Sequence, residues 1–330
     1  MIIKSKYFMV ENHSICVYCK SQNSEKLYST KDIFEDTFHI HKCRKCKAYF
    51  LSPQPTNEQL ARAYDDSYYG EKDEKFESSS VENVLDFFRK KRAKKLSKYL
   101  KEGANVLDIG CGNGRFLLYL QKYGKYRLNG TELDGNSAKR AAKHSEINLK
   151  IGFLEKSDFD KNSLDAVTLF HVFEHLSNPK ETLETISELL KKDGILLISF
   201  PNIDSYQSRK FKGDWLHLDP PRHLLFFEPT DFIKLLKEYG FEIVSENYLS
   251  SEQNPYGMTQ SLLNKFLKKR EVLFELLKGN TDYAKEYSKF SILMQKLFFA
   301  VSFPVFIVTD IFMSWMKKGA TVEFTFRKID

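Results

Sequence analysis

The stretch NVLDIGCGNGRFLL, Asn105–Leu118, decides the fold. An apolar run passes into three glycines at alternate positions and then into a helical pattern starting at Arg115. That order predicts a strand, a tight turn and a helix N-terminus, a junction that brings bare backbone amides up to a ligand. Spacing separates the ligand classes. A dinucleotide fingerprint, G-x-G-x-x-G, needs glycine at position 115, where this chain carries Arg115. The pattern present is G-x-G-x-G, with Asp108 two residues ahead of the first glycine. Glu132 closes the next apolar run, where a carboxylate can accept hydrogen bonds from both hydroxyls of a ribose. A nucleoside-type ligand is expected.

Outward from this turn, short apolar runs alternate with helical patterns. Strands are expected at 105–109, 127–133, 149–152, 165–170, 195–200 and 241–248, with helices starting near Arg115, Asn136, Pro179 and Pro229, the last closed by Gly240. This alternation predicts an α/β fold: a doubly wound, Rossmann-like, mostly parallel sheet covered on both faces. A further strand, Thr321 to Arg327, is expected to pair at the sheet's edge or insert near it. The expected division is a zinc ribbon over 1–56, a linker over 57–80 containing a short helix, a core over 81–252, and an apolar helical segment with the final strand over 253–330.

Composition narrows the class. The 330 residues are 42% hydrophobic, enough for a core in each part, and the net charge of +7 comes from 51 basic residues scattered among 44 acidic ones. No long basic tail marks a nucleic-acid partner. The densest run, Arg89–Lys98, reads as a solvated helix face or as a contact for an anionic partner. The first fourteen residues show no h-region or cleavage site of a secretion signal, so a cytoplasmic location is expected.

The motifs VLDIGCGNGRFL and TELD, followed by LDAVTLFHVFEHLSNP, GILLISFPN and DWLHLDPPRHLLFFEP, make the region from Val81 to Ser250 resemble the class I methyltransferases, which use S-adenosylmethionine. The resemblance implies that Asp108 braces the loop and that Gly110, Cys111, Gly112 and Gly114 admit the methionine part of the cofactor. It implies that Glu132 holds the ribose, that Phe153 and Leu154 lie by the adenine, and that Leu133, Phe170 and His171 also bind the cofactor. Many relatives carry an aspartate where this chain has Phe153, which is expected to pack on the purine. Cys111 reads as a small residue fitting the turn rather than as a nucleophile.

Methyl transfer from a sulfonium is an in-line displacement, so the protein chiefly aligns an acceptor and takes up its proton. His171 and His175, with Glu174 between them, follow the fourth core strand; they are candidate bases or braces of the pocket. A second group, Trp215, His217, Arg222 and His223, lies in one loop with Pro220-Pro221. An aromatic, two histidines and an arginine there suit a polar acceptor bearing an anionic group, with Glu174, Trp215, His217 and Arg222 as binding residues and His223 as the substrate-side base.

Cys16-x2-Cys19 and Cys43-x2-Cys46 have the spacing that places four thiolates around one structural zinc ion. His13, His39 and His41 are nearby substitutes, and paired redox cysteines are the alternative. The ribbon and the P-x-P segment behind it resemble the front half of bacterial zinc-ribbon methyltransferases, including those acting on sugars, which implies that the ribbon helps close the acceptor site. The long C-terminal half of antibiotic-sugar C-methyltransferases is not recognisable. From Ile292 to Met316 the chain is apolar, but Asp310 near its centre makes a membrane span costly. Two readings stay open: helices buried on the core between the last two strands, or an interfacial surface suited to a lipid-linked acceptor and peripheral contact at the inner face of the membrane. The function implied is methyl transfer to a small-molecule acceptor, a saccharide or sugar conjugate first. RNA methylation and a non-catalytic ribbon scaffold retaining a nucleoside pocket are the alternatives.

Overall fold

The computed structural model describes residues 14–64, 79–277 and 279–330. His13 and the tyrosine-rich stretch 65–78 lie outside the described residues. Seven strands form one sheet: β4 Asn105–Ile109, β5 Arg127–Glu132, β6 Ile147–Ile151, β7 Leu164–Phe170, β8 Leu190–Pro201, β10 Phe241–Asn247 and β11 Thr321–Lys328, in the order β10-β11-β8-β7-β4-β5-β6. The five strands β4 to β8 pair in parallel, and β11 runs antiparallel between β8 and β10. The last strand therefore inserts one place in from the edge.

The central strands read as nearly unbroken apolar runs because both their faces are covered. Leu107, Ile109, Val167, Leu169, Leu196 and Ile198 point into one core cluster, and Val106, Ala166, Ile195 and Leu197 into the other. Helices α3 Arg115–Leu120, α4 Asn136–Ala141, α5 Pro179–Leu189 and α7 Pro229–Glu238 begin where proline or the glycine turn predicts. Gly240, at φ +77°, takes the left-handed conformation that ends a helix at no steric cost. The chain leaves β4 toward β5 and β6 on one side and returns to β7 and β8 on the other. The crevice at the carboxyl ends of β4 and β7 is thus the topological switch point where open α/β sheets bind ligands.

The cysteine segment builds β1 Ser24–Lys31, β2 Thr37–Cys43 and β3 Tyr49–Ser52, followed by α1 Asn57–Ala63. It shares a sheet with the core: β3 pairs with the two-residue strand β9, Leu225–Phe226, through Tyr49–Phe226 and Phe50–Leu225. Cys16, Val17, Ala48 and Phe50 pack into the same cluster as Leu225, Phe227 and Phe232. Ahead of the core, α2 (Ser79–Ser97) lies on α3, where Asp86 bridges Arg89 and Arg115.

The tail departs from the expectation of helices buried on the core. Beyond α6 Tyr206–Phe211, the helices α8 Asn254–Phe266 and α9 Val272–Leu277 are largely buried. The apolar segment instead forms one 27-residue helix, α10 Lys289–Trp315, with most of its apolar side chains in solvent. The reason is that α8 already covers the core, leaving α10 to pack on α8 from outside.

Candidate active site

Gly110, Gly112 and Gly114 all take positive φ, +68°, +59° and +76°, which bends the chain directly from β4 into α3. Their surroundings differ. A Cβ at Gly110 would stand 2.5 Å from Val172 and one at Gly114 would stand 2.6 Å from Ile147, whereas one at Gly112 would meet nothing within 4 Å. Gly110 and Gly114 are therefore packed against protein, and Gly112 opens on the crevice. Its amide donates to Glu132 Oε2 at 2.6 Å, so the carboxylate closing β5 is tied to the turn.

Asp108, buried beneath, accepts from Thr168 Oγ1 at 2.6 Å across to β7, and burial pushes its carboxyl up to about 7. Cys111 is buried against Gly130, and burial pushes its thiol up, the opposite of what a nucleophile needs. Leu133 and Phe153 are exposed at the rim, while Leu154 packs on the core. Phe170 meets Phe116 edge-on at 4.9 Å between ring centres, with the Arg92 guanidinium over its ring.

One strand over, β7 is followed at once by His171, whose φ of +56° is a strained conformation for a side-chain-bearing residue. The strain is held by its amide bonding Ser199 O at 2.9 Å. Its Nδ1 lies 3.3 Å from Glu174 Oε1. Glu174 is 1% exposed, and neither of its oxygens has an aligned hydrogen-bond donor. Despite the burial, His171, His223 and His175 around it hold the carboxyl below its ordinary value. His175 is locked by Tyr64 Oη and Arg222 O, 2.9 and 3.0 Å from its Nδ1, and burial lowers it to about 4, so it is neutral at pH 7. His223 sits 4.5 Å from it, ring to ring, and donates from Nδ1 to His217 O at 2.8 Å. That leaves its Nε2 facing Asp219 and Glu174 at 3.7 and 3.9 Å.

The structure brings His171, Glu174, His175 and His223 together and buries Trp215, His217 and Arg222. Trp215 is fully buried between Phe226 and His217, because the loop that carries it is clamped under α8. Arg222 cannot offer its guanidinium to an anionic acceptor: it is buried, paired with both oxygens of Asp219, and donates to Ala63 O. This pairing holds Asp219 down at about 2. His217 is buried with its Nε2 against Gly257, and burial lowers it to about 3. Tyr64 was not among the candidates. Its contact with His175 crosses 111 residues, so no local spacing signals it.

The two cysteine pairs form matching knuckles. In each, the amide of the residue after the second cysteine donates to the carbonyl of the first, Lys20 N to Cys16 O and Lys47 N to Cys43 O, with Lys20 and Lys47 at positive φ. The sulfurs stand 3.6 Å apart for Cys16 and Cys46 and 3.5 Å apart for Cys19 and Cys43, and all four lie within 4.8 Å of one another. A tetrahedron of thiolates about 2.3 Å from one ion has sulfurs roughly 3.8 Å apart, so these four fit zinc. His39 and His41 turn to serine hydroxyls on β1 instead. Glu174, His175 and His223 also present ligand atoms within 4.8 Å of one another, a set able to hold a divalent ion. A cleft of about 700 Å³ between the ribbon and helices α5 and α7 is lined by Cys19 and Cys46 but by none of the candidate bases.

Residues 82–246, half of the chain, match the family model described as a methyltransferase domain. The ubiquinone biosynthesis O-methyltransferase of Glaesserella parasuis is 33% identical over 30% of this chain and 46% of its own length. The ribosomal protein L11 methyltransferase of Thermosipho africanus is 32% identical over 32% of this chain and 41% of its own. The chain spans less than half the length of either relative. Among solved structures, a putative sarcosine dimethylglycine methyltransferase from Galdieria sulphuraria is 17% identical, with a TM-score of 0.48, over 81% of this chain and 97% of that one. By the family match, with a parallel sheet and glycine turn to accord, the chain belongs to the methyltransferase domain family, of the class I, S-adenosylmethionine-dependent kind.

Proposed function

We propose that this protein transfers a methyl group from S-adenosylmethionine to a small-molecule acceptor. The observation that carries the reading is the open glycine, Gly112, whose amide meets Glu132 at the switch point of the sheet while its neighbours Gly110 and Gly114 are packed shut. Gly110, Cys111, Gly112 and Gly114 would lie along the methionine part, Glu132 would take the ribose, and Leu133, Phe153 and Leu154 would flank the adenine, with Asp108 bracing the turn through Thr168. When bound, the cofactor supplies a methyl group already made electrophilic by its sulfonium.

His171 is the base we favour over His175 and His223, since its side chain is 22% exposed, against 9% for His223, and the Nδ1 of His175 is already engaged by Tyr64 Oη and Arg222 O. With the cofactor supplying the methyl group and leaving as its thioether, His171 would take up the acceptor's proton. Glu174 behind it stabilises the imidazolium that results. His175 and His223 hold Glu174 in place, with Tyr64 as their outer support.

Four cysteines holding a structural zinc would stabilise a segment too small to fold unaided, with β9 and the shared core fastening it beside the site. We keep the division proposed from sequence, 1–56, 57–80, 81–252 and 253–330, as a division of labour rather than of separate bodies. The acceptor is proposed to be a saccharide or sugar conjugate, on the resemblance of the ribbon and its following segment. A phenolic acceptor is the second reading, favoured by the ubiquinone-pathway relatives. A cytoplasmic site of action and a lipid-linked form of the acceptor belong to the same proposal.

RNA methylation is less well served. In the basic run, Arg89 pairs with Glu82 and Asp86, Arg92 with Glu252, and Lys95 with Glu323, so much of its charge is already matched. Calorimetry with S-adenosylmethionine and S-adenosylhomocysteine, then S-adenosylhomocysteine release against a panel of sugars, sugar conjugates and phenols, tests the reading. Micromolar binding and acceptor-dependent release are expected. Binding without release from any acceptor, and a partner whose capture survives His171→Ala, would favour the scaffold alternative. No binding at all would remove the proposal.

A further inference from the structure

Helix α10 is inverted relative to a surface helix of a soluble protein, which buries its apolar stripe and exposes polar residues. Among its residues those buried are Gln295, Ser302 and Asp310, spaced seven and eight apart and so on one face. Two of them form a polar seam with α8 and the turn before it: Ser302 Oγ lies 3.3 Å from Thr259 Oγ1, and Asp310 accepts from Asn254 Nδ2 at 2.8 Å and from Ser250 N at 3.3 Å, whereas the Gln295 amide is buried without a hydrogen-bond partner among the described residues. The opposite arc runs through Phe290, Leu293, Leu297, Val301, Val308 and Trp315, all exposed, with 73% exposure at Val301 and 81% at Trp315. No charged residue interrupts it. The helix carries a mean hydropathy of 2.0 over its most apolar window, of which 6% is buried.

We infer that α10 lies in the plane of a lipid bilayer, its apolar arc sunk among the acyl chains and its polar seam turned to the protein. A helix of 27 residues is about 40 Å long, and the seam with α8 along its second half keeps that axis flat against the protein rather than across a membrane. Both ends suit the interface. Lys289 and Phe290 open the helix and the exposed Trp315 closes it, so that an aromatic suited to headgroup depth stands at each end with a cation for anionic phosphates at the first; Lys317 and Lys318 beyond the helix are paired with Glu246 and Asp204. Lys296, on the flank of the arc, can lay its stem on the apolar surface with its ammonium at the phosphates. A protein partner would explain an apolar strip equally well, but not the exposed aromatics at both ends of it with Lys289 and Lys296 beside it.

The seat places the chemistry close by. Helix α8 bears α10 on one side and on the other carries the histidine loop, with Ser261 Oγ accepting from Leu216 N at 2.9 Å and Gly257 against His217. One helix therefore separates the crevice's wall from the bilayer. The contact itself is independent of methyl transfer.

The chain's two tryptophans give a direct test, since Trp215 is fully buried and Trp315 exposed. The full-length protein is floated with vesicles of phosphatidylethanolamine and phosphatidylglycerol, with phosphatidylcholine alone for comparison, and its emission is recorded. Flotation with the anionic vesicles and a blue shift that vanishes in Trp315→Phe are expected. A Val301→Glu, Val308→Glu double variant should lower the bound fraction tenfold or more, with circular dichroism and cofactor binding unchanged. Absence of flotation, flotation indifferent to the double variant, or a vesicle-free dimer that the variant splits into monomers would overturn the inference. Calorimetry with S-adenosylhomocysteine on the same samples keeps its failure distinct from failure of the methyl-transfer reading.

Discussion

The glycine turn after β4 and the histidine cluster after β7 stand side by side at one crevice, and they are built on opposite plans. The turn works through backbone: three residues at positive φ, one of them open, with a carboxylate fastened to a bare amide. The cluster works through side chains that are mostly buried and hold one another: Glu174 among three imidazoles, His175 tied to Tyr64 and Arg222, His223 tied to His217. A backbone site tolerates little change in residue type but needs few distant partners. A side-chain site needs many distant partners, and its chemistry depends on which ring stays accessible.

The contrast can be broken most decisively at Gly112. Gly112→Val puts a side chain into open crevice at positive φ, so cofactor affinity should fall on the order of 100-fold or more in calorimetry. The strain on the fold should be about 1–2 kcal/mol. Undiminished affinity would mean that the crevice is not where the adenosyl group sits. Next in size is Glu174→Gln, which removes the charge facing His171. Turnover should drop roughly 10- to 100-fold with the cofactor dissociation constant within about threefold, a split in single-turnover assays that a mere loss of folding would not produce.

Gly110→Ala should act on the fold instead, because its Cβ would stand 2.5 Å from Val172. A loss of about 1–3 kcal/mol in chemical denaturation is expected, partly recovered by adding Val172→Ala. If Val172→Ala restores nothing, backbone strain alone governs the position.

The smallest and most specific effect is in titration. His175 is held near 4 by burial, so histidine-resolved NMR should show it neutral while an ordinary imidazole protonates at about 6.5. The sign follows from the depressed value: between these two pH values the unfolded chain binds the proton and the folded one does not, so this group's contribution to stability is lost as pH falls. A midpoint at the ordinary value would show that water reaches the cluster and that it is not the closed half of the comparison.

Much of this was legible without coordinates. Strands 105–109 and 165–170, the helix starts at Arg115, Asn136, Pro179 and Pro229, and the glycine at 240 are local matters of periodicity, proline geometry and positive φ, and they stand within a residue or so of expectation. The four cysteines come together as their spacing suggests. Burial was not legible. Trp215 and Arg222 read as acceptor contacts because tryptophan and arginine often are, yet both are consumed by packing and by Asp219. The apolar tail read first as core, and it is exposed because α8 had already taken that place.

Residue order alone determined where the backbone turns, which strands need cover on both faces, and that a carboxylate follows the second core strand. Those properties rest on short-range sterics and on the alternation of apolar residues, which are written locally. Tertiary structure alone decided which histidine stays accessible, that Tyr64 reaches His175, and that the polar side of the last helix faces inward. These depend on contacts between segments far apart in the chain, and solvent exposure is a property of the packed whole rather than of any one stretch.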